Sequence, residues 1–299
     1  MGQIVHFGLG NFARAHLLDY TADAGGDWQV IGVNLRSSAT RDGLAAQDYA
    51  YALKVQGVGV KQIKVLNTIL LASEGQQPVL QAMANADIIS ATVTEKGYHL
   101  DQNGQLNLQD PVIQAELAGP PLRSLIGFIA HNLAQRDRPV TILSCDNRPG
   151  NGDALRQAVQ QFAQAAHLSV DWSLARFPNA MVDRITPATT DPIRQECKDP
   201  MAVPTEAFRE WVIEDCFAGP RPDWPDVQFV QDVRPHELRK LRMLNGAHSF
   251  LAYAGLARGY DFVHEAISDP QLRRQALSLM REAGATLPQD IQDQVPAYA

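Results

Sequence analysis

Cysteines, basic residues and long apolar runs are all scarce in this chain of 299 residues. The three cysteines, Cys145, Cys197 and Cys216, are widely spaced and odd in number, which argues against a disulfide framework and a zinc site. Lys and Arg number 26 against 33 Asp and Glu, so the formal net charge of −7 disfavours a broad nucleic-acid-binding face. No apolar run approaches the roughly 20 residues of a membrane-spanning helix, and the first residues lack the basic stretch of a signal peptide. We therefore expect a cytoplasmic protein without a nucleic-acid partner, a membrane partner or a metal site.

Short apolar runs alternate with helical patterns through the first three quarters of the chain. The predicted strands are Ile4–Phe7, Trp28–Val33, Tyr51–Val55, Val58–Val65, Asp87–Val93 and Val140–Ser144. The predicted helices are Phe12–Ala24, Pro78–Ala84, Leu122–Arg136 and Asp153–Ala166. Strands that alternate with helices predict a mostly parallel sheet that is covered on both faces.

A glycine-rich turn follows the first predicted strand. Gly8, Gly10 and Ala13 form the pattern GxGxxA between a strand and a helix. Glycine at position 8 permits a tight turn, glycine at position 10 lets a pyrophosphate approach the backbone, and a small residue at position 13 lets the helix pack on the strand. The N–H groups at the start of the helix then face the phosphates. We predict a cofactor-binding turn made of Gly8, Gly10, Asn11 and Phe12.

The end of the second predicted strand is where such proteins recognise the ribose. An acidic residue is usual about 20 residues after the motif, whereas this chain has Asn34 and Arg36 there. Asn34 can hydrogen-bond a ribose hydroxyl, and Arg36 can either pair with a 2′-phosphate or remain solvated. These residues leave both NAD and NADP open, with NAD as the expected cofactor.

The pattern changes to purely helical after about residue 230. Pro235–Leu256 and Asp269–Ala283 are predicted helices, each with a proline in its first turn. The predicted fold is therefore α/β: a Rossmann-like, mostly parallel sheet domain at residues 1–231, followed by an all-α C-terminal domain at residues 232–299.

The first of these helices carries Lys240, Asn245 and His248. At about 100° per residue, Asn245 and His248 lie about 140° and about 80° round the helix from Lys240, so all three can line one side of a cleft. Each residue taken alone also fits an amphipathic helix with a solvated lysine and a hydrogen-bonded core histidine. Spacing alone leaves both interpretations open.

Six longer blocks occur in order along the chain: GLGNFARAH (Gly8–His16), VTEKGY (Val93–Tyr98), SCDNRPGNG (Ser144–Gly152), FPNAMVDRITP (Phe177–Pro187), WVIEDCFAGPRPDW (Trp211–Trp224) and KLRMLNGAHS (Lys240–Ser249). Together they resemble the mannitol dehydrogenase family, the long-chain polyol and hexuronate dehydrogenases. The resemblance implies a zinc-independent, nicotinamide-dependent enzyme whose substrate is a small polyol or hexuronate. It leaves the oligomeric state open.

The resemblance also implies catalytic roles by position. Lys240 corresponds to the family's catalytic lysine, and Asn147 and Asn245 correspond to its paired amides at the reacting oxygen. Glu237 corresponds to a carboxylate that exchanges protons with the lysine. The chemistry suits these residue types, because alcohol oxidation needs a base for the hydroxyl proton and amide donors that stabilise the developing alkoxide.

Two further residues correspond to the family's substrate site. These are Asp183 and His248, of which His248 is also counted among the catalytic residues. Asp183 could instead form a structural ion pair with Arg184. Asn147 could only shape a turn, as could Asn151 in the same loop.

Two substrate pairs compete within the family. The block that begins at Lys240 and the segment Asn103–Ile113 resemble fructuronate reductases, which make D-mannonate, so the hexuronate is favoured. The alternative is a mannitol 2-dehydrogenase, which interconverts mannitol and fructose. The family's chains are longer, so the helical domain is expected to be incomplete. A nucleotide-binding remnant with little activity is therefore a third possibility.

Overall fold

The computed structural model of the chain describes residues 2–93 and 95–298. Thr94, which belongs to the block Val93–Tyr98 quoted above, lies outside the described residues. The chain divides into two compact units, of which the first ends at Gln231 and the second begins at Asp232.

The strands all lie in the first unit. In chain order they are β1 (Gly2–Phe7), β2 (Trp28–Asn34), β3 (Tyr51–Val55), β4 (Gly59–Ile63), β5 (Leu66–Leu71), β6 (Ile88–Ala91), β7 (Val140–Ser144), β8 (Ala175–Arg176), β9 (Ala180–Asp183), β10 (Val203–Thr205), β11 (Glu210–Glu214) and β12 (Gln228–Val230).

The α-helices of the first unit are α1 (Asn11–Ala15), α2 (Leu17–Ala24), α3 (Ala39–Ala45), α4 (Gln76–Asn85), α5 (Pro111–Leu117), α6 (Leu125–Ala134), α7 (Asn151–Ala165) and α8 (Asp191–Cys197). The second unit contains α9 (Arg234–Arg239), a π-helical segment (Lys240–Asn245), α10 (Gly246–Leu256), α11 (Val263–Ala266), α12 (Pro270–Gly284) and α13 (Val295–Tyr298). Short 3₁₀ turns cover Ala72–Glu74, Glu95–Tyr98, Trp172–Leu174 and Gln289–Gln294.

The main sheet has six parallel strands in the order β5-β2-β1-β6-β7-β8. Numbered within this sheet alone, that order is 3-2-1-4-5-6, the arrangement of a Rossmann fold. The strand order reverses between β1 and β6, where Phe7 is paired with Ala91. The predicted Rossmann-like sheet followed by a helical C-terminal unit is confirmed. Ligands of such sheets bind beyond the carboxyl ends of the strands at this reversal point.

Both faces of the main sheet are buried, which explains why its strands are nearly continuous apolar runs. Neighbouring residues of one strand contribute to different cores, because successive side chains point to opposite faces. On β1, Ile4 belongs to one core and Val5 to the other, and on β6 the same is true of Ile88 and Ile89.

Several predicted boundaries were wrong. The helix predicted over Phe12–Ala24 is divided at His16, whose φ of −115° and ψ of −85° leave the helical region. The strand predicted over Val58–Val65 ends at Ile63, and β5 begins at Leu66. The chain between them passes from the antiparallel β3–β4 hairpin, which belongs to a separate sheet with β10, to the main sheet.

The second unit, as far as its residues are described, is formed by packed helices. Leu251 of α10 packs in a small core with Leu272 and Ala276 of α12. The N-terminus of α12 is capped by Asp269, whose carboxylate accepts hydrogen bonds from the N–H groups of Gln271 and Leu272 at 2.7 and 3.1 Å. Among the described residues, no helix is long and apolar enough to cross a membrane.

His16, at the break between α1 and α2, is fully buried among aromatic rings. Its ring stacks on Phe12 at 5.0 Å and meets the edges of Tyr20 and Trp211 at 5.1 and 4.9 Å. Burial lowers the pKa of His16 to about 3, against a smaller raising effect from the backbone of Glu210. The folded protein therefore holds this histidine neutral at physiological pH.

We expect His16 to destabilise the protein in mild acid. The unfolded chain takes up a proton below about pH 6.5 while the folded chain does not, so stability falls as the pH falls. The expected loss between about pH 7 and pH 5 is of order 2 kcal/mol from this residue. Urea unfolding of His16→Phe at both pH values should show a correspondingly smaller loss than wild type. His264→Gln, which changes an exposed histidine, is the control. If wild type and His16→Phe lose the same unfolding free energy between the two pH values, His16 is not a source of the acid sensitivity.

Candidate functional site

The turn after β1 is tightly packed against the strand beside it. Gly8 has a φ of +85°, and a Cβ placed on it would lie 2.7 Å from the backbone carbonyl oxygen of Thr92. The Gly8 N–H donates to the Val33 carbonyl at 2.9 Å, and the Gly10 N–H donates to the Gly8 carbonyl at 2.7 Å. Both the backbone conformation and the contact therefore require glycine at position 8.

Gly10 is different, because the protein itself leaves its side-chain position empty. Its φ of −93° suits any residue, and among the described residues a Cβ would meet only the Gly8 carbonyl oxygen, at 3.9 Å. Helix α1 begins at the next residue, and no described side chain caps its first turn. An open backbone next to helix N–H groups fits the pyrophosphate of a dinucleotide.

Alanine substitutions should distinguish the structural role of Gly8 from the binding role predicted for Gly10. Gly8→Ala should lower the free energy of unfolding by about 2–4 kcal/mol, since it combines left-handed strain with overpacking. Gly10→Ala should change that free energy by less than about 0.5 kcal/mol but weaken NADH binding at least tenfold. Gly57→Ala is the control for strain alone, since Gly57 has a φ of +74° and nothing within 4 Å of the added atom. Urea unfolding and NADH titration measure both effects; tight NADH binding by Gly10→Ala would show that no phosphate approaches there.

The side chains of the next two predicted cofactor residues are engaged within the protein. The Arg14 guanidinium donates to Asn11 Oδ1 at 2.6 Å, and Asn11 Nδ2 donates to Thr189 Oγ1 at 3.4 Å. The ring of Phe12 stacks on His16. Asn11 and Phe12 can thus offer a cofactor their backbone N–H groups rather than these side-chain atoms.

Asn34 connects the end of β2 to the glycine turn after β1. Its Oδ1 accepts a hydrogen bond from the Leu9 N–H at 3.1 Å. The amide NH₂ of Asn34 is the group that could then serve a ribose oxygen, as a donor and without charge. Arg36, two residues further on, is exposed.

The two asparagines of the loop after β7 differ sharply in their surroundings. Asn151 is fully buried: its Nδ2 donates to the carbonyls of Asp146 and Ala180 at 2.9 and 2.8 Å, and its Oδ1 accepts from the Ala180 N–H at 3.0 Å. Asn147 is exposed, and its backbone N–H donates to Asp146 Oδ1 at 2.8 Å. Asn151 is a structural residue, whereas the Asn147 side chain is accessible to a substrate.

Arg184 and Asp183, adjacent at the end of β9, have different surroundings. The Arg184 guanidinium is buried, donates to Asp19 Oδ2 at 2.5 Å and also bonds the Ala15 carbonyl. Burial acts to raise the pKa of Asp19, but hydrogen bonds from Lys61 and Arg184 outweigh it and lower that pKa. The Arg184 salt bridge therefore ties the chain directly after β9 to α2. Asp183 is half-buried at the last position of the strand.

The helix with the predicted catalytic lysine is not α-helical throughout. Its middle, Lys240–Asn245, is a π-helix, and the Gly246 N–H bonds to the carbonyl of Leu241, five residues earlier. In such a segment residues five apart lie one above the other, as residues four apart do in an α-helix. Lys240 and Asn245 therefore share one side of the helix, and the offset of about 140° predicted for a plain α-helix was wrong. π-Helical turns are frequent at functional sites.

Lys240 is 8% exposed, which is unusual for a lysine. Glu237, one turn earlier, and Asn245 are half-buried, while His248 on α10 is exposed. A buried lysine with an acidic residue one turn away on the same helix is an arrangement that can hold and exchange a proton.

Thr92 was absent from the predicted site, although its hydroxyl donates to the Gly8 carbonyl at 2.7 Å. A hydroxyl residue directly after a buried strand is the only sequence signal for it. Within the described part of the chain, no group of three or more His, Cys, Asp or Glu is arranged to hold a metal ion.

The sheet order and the glycine turn define the first unit as an α/β protein of the dinucleotide-binding type. The sequence model of the mannitol dehydrogenase Rossmann domain matches residues 2–226, and that of the mannitol dehydrogenase C-terminal domain matches residues 232–299. The chain belongs to the mannitol dehydrogenase family, as the resemblance predicted.

Relatives with different substrates in their names have nearly the same sequence identity to this chain. It is 39% identical to the D-mannonate oxidoreductase of Escherichia coli K12, over 99% of this chain and 68% of the relative. It is 38% identical to a mannitol 2-dehydrogenase of Phaeosphaeria nodorum, over 93% of this chain and 55% of the relative. The chain thus spans 55–68% of the length of these two relatives.

Two solved structures of polyol dehydrogenases are also similar to this chain. A Pseudomonas fluorescens mannitol 2-dehydrogenase in a ternary complex with NAD and D-mannitol is 37% identical and superposes with a TM-score of 0.87, over 98% of this chain and 68% of that one. A D-sorbitol dehydrogenase in substrate-free form is 32% identical, with a TM-score of 0.88 over the same shares.

Proposed function

We propose that this chain is an NAD-dependent oxidoreductase that transfers a hydride between nicotinamide and a secondary alcohol carbon of an open-chain sugar or hexuronate. D-Mannonate and D-fructuronate are the favoured pair. The observation that carries the proposal is the match over 98% of the chain to a family member with NAD and a polyol bound. The chemistry of the residues on the glycine turn and the π-helical segment supports it.

We assign cofactor binding to residues 1–231. The open backbone at Gly10, the tight turn at Gly8 and the N–H groups of Asn11 and Phe12 would hold the pyrophosphate. Asn34 would donate to a ribose oxygen, and Arg36 would lie near the same end of the cofactor. When bound, the nicotinamide supplies or accepts the hydride.

The protein's own part is acid–base chemistry and charge stabilisation. Lys240 would take the hydroxyl proton during oxidation and return it to the carbonyl oxygen during reduction, with Glu237 exchanging that proton onward. The amides of Asn147 and Asn245 would donate to the oxygen on which negative charge develops.

Substrate recognition is assigned to Asp183 and His248, with residues 232–299 as a substrate-binding domain. Both side chains offer polar groups suited to the hydroxyls of a sugar chain. His248 would also assist at the reacting oxygen, since it follows Asn245 by three residues on the same helix.

Mannitol and fructose form a second candidate substrate pair. The support for it is the similarity to mannitol 2-dehydrogenases, 38% identity against 39% for the D-mannonate oxidoreductase. The two substrates differ in charge, since mannonate carries a carboxylate that mannitol lacks.

Initial rates of reduced-cofactor oxidation test the proposal. D-Fructuronate and D-fructose are each offered with NADH and with NADPH, with and without a metal chelator. We expect the highest rate with D-fructuronate and NADH, unaffected by the chelator. A higher rate with D-fructose would favour the mannitol pair. Retained NADH binding with no rate on either sugar would overturn the proposed activity and leave a nucleotide-binding remnant.

A further inference from the structure

A line of three polar side chains runs from the buried sheet to the cofactor turn. Ser90 Oγ lies 2.9 Å from His6 Nδ1, and His6 Nε2 lies 3.0 Å from Thr92 Oγ1. The Thr92 hydroxyl in turn lies 2.7 Å from the Gly8 carbonyl oxygen. His6 and Ser90 face each other in the register of β1 and β6, at the point where the strand order reverses.

Only one arrangement of protons satisfies every member of this line. Because the Gly8 carbonyl can only accept, the Thr92 hydroxyl must donate its single proton to that hydrogen bond. Thr92 Oγ1 must then accept from His6, which places the imidazole proton on Nε2. His6 Nδ1 is therefore an acceptor and takes the Ser90 hydroxyl proton. His6 is fully buried, and burial lowers its pKa to about 3, which agrees with a neutral ring.

The carbonyl at the end of this line is the centre of the turn. It accepts from the Thr92 hydroxyl and also from the Gly10 N–H at 2.7 Å. The direction of that carbonyl consequently fixes where the backbone of Gly10 lies, and Gly10 is the position left open for a ligand. Neutral hydrogen bonds that lead from the fully buried His6 to the half-buried Thr92 limit the freedom of that carbonyl.

We propose that Ser90, His6 and Thr92 are positioning residues that hold the Gly8–Gly10 turn in the shape that receives the cofactor. The inference rests on the proposed function for the identity of the ligand, but the rigidity of the turn does not depend on it. The three residues act through the Gly8 carbonyl and are not assigned contact with the reacting atoms.

Three variants test the line. Thr92→Val removes the hydroxyl and keeps the side-chain shape, and Thr92→Ser keeps the hydroxyl. Thr141→Val is the matched control, because Thr141 is a fully buried threonine on the neighbouring strand β7 whose hydroxyl accepts from the Ala218 N–H at 2.9 Å, away from the turn. Hydrogen exchange at the Gly10 amide is measured without cofactor, and the NADH dissociation constant is measured by fluorescence titration.

In Thr92→Val we expect the Gly10 amide to exchange about 5- to 10-fold faster and the NADH dissociation constant to rise by a similar factor, as the loss of one hydrogen bond implies. Thr92→Ser should restore both values, and Thr141→Val should leave both unchanged. Unchanged exchange in Thr92→Val, or equal changes in Thr141→Val, would overturn the inference. Wild-type protein that fails to bind NADH would count against the proposed function, while the exchange rates would still decide the role of the line.

Discussion

Replacing Lys240 with Met should lower kcat by roughly 100- to 10,000-fold, the usual contribution of a positioned acid or base. The dissociation constant for NADH should stay within about twofold of wild type. The reason is that Lys240 is assigned to proton transfer and is not among the residues assigned to the pyrophosphate and the ribose. Steady-state rates in both directions and a fluorescence titration with NADH measure the two effects.

The matched control for this substitution is Lys64→Met, which removes an exposed lysine before β5. It should retain wild-type kcat. Adding small primary amines should restore part of the Lys240→Ala activity, because a free amine can occupy the space and carry the proton. A Lys240→Met enzyme that turns over at the wild-type rate would exclude this lysine as the acid–base group.

Alanine substitutions at the two asparagines of the loop after β7 should affect different properties: Asn147→Ala should lower kcat, and Asn151→Ala should lower the free energy of unfolding. Asn147→Ala should lower kcat by about 100- to 1,000-fold, as expected for the loss of one donor to a developing oxyanion. Its free energy of unfolding should change by less than about 1 kcal/mol because the side chain is exposed. Asn151→Ala should lower that free energy by about 2–4 kcal/mol, since the fully buried side chain loses its hydrogen bonds to the backbones of Asp146 and Ala180.

Urea unfolding and steady-state kinetics on the same two preparations distinguish the roles. Each variant serves as the other's control, because the substitution is identical and the positions are four residues apart. Normal kcat in Asn147→Ala would remove it from the oxyanion site. An Asn151→Ala protein as stable as wild type would mean that the hydrogen bonds from the Asn151 side chain to the backbone contribute little to holding the loop against β9.

The parallel sheet could be predicted because its strands are buried on both faces and therefore appear as short apolar runs. β5 could not be predicted, since Leu66–Leu71 follows the β3–β4 hairpin after only two residues, and nothing local marks the passage between sheets. The π-helical segment escaped prediction for a similar reason. Six residues hold too few apolar positions to distinguish the period of a π-helical turn from that of an α-helical turn, whereas the bonding pattern moves Asn245 to the side of Lys240.

The glycine turn was visible in the sequence, but the support beneath it was not. His6, Ser90 and Thr92 come together only through the pairing of β1 with β6, more than 80 residues apart in the chain. The distinction between Asn147 and Asn151 likewise depends on the backbone of Ala180, 29 residues beyond Asn151. Such long-range contacts assign a structural or a chemical role to residue types that the sequence leaves equivalent.

Transfer of deuterium tests the central claim most directly. The chain is incubated with D-fructuronate and NADH that carries deuterium at the transferable position of the nicotinamide, and the sugar-acid product is examined by mass spectrometry. We predict D-mannonate that contains one deuterium, and roughly 100- to 10,000-fold slower formation of it by Lys240→Met. A parallel incubation with D-fructose is examined for deuterium in D-mannitol. If the cofactor binds but neither D-mannonate nor D-mannitol contains deuterium, the assignment of hydride transfer to this chain is contradicted.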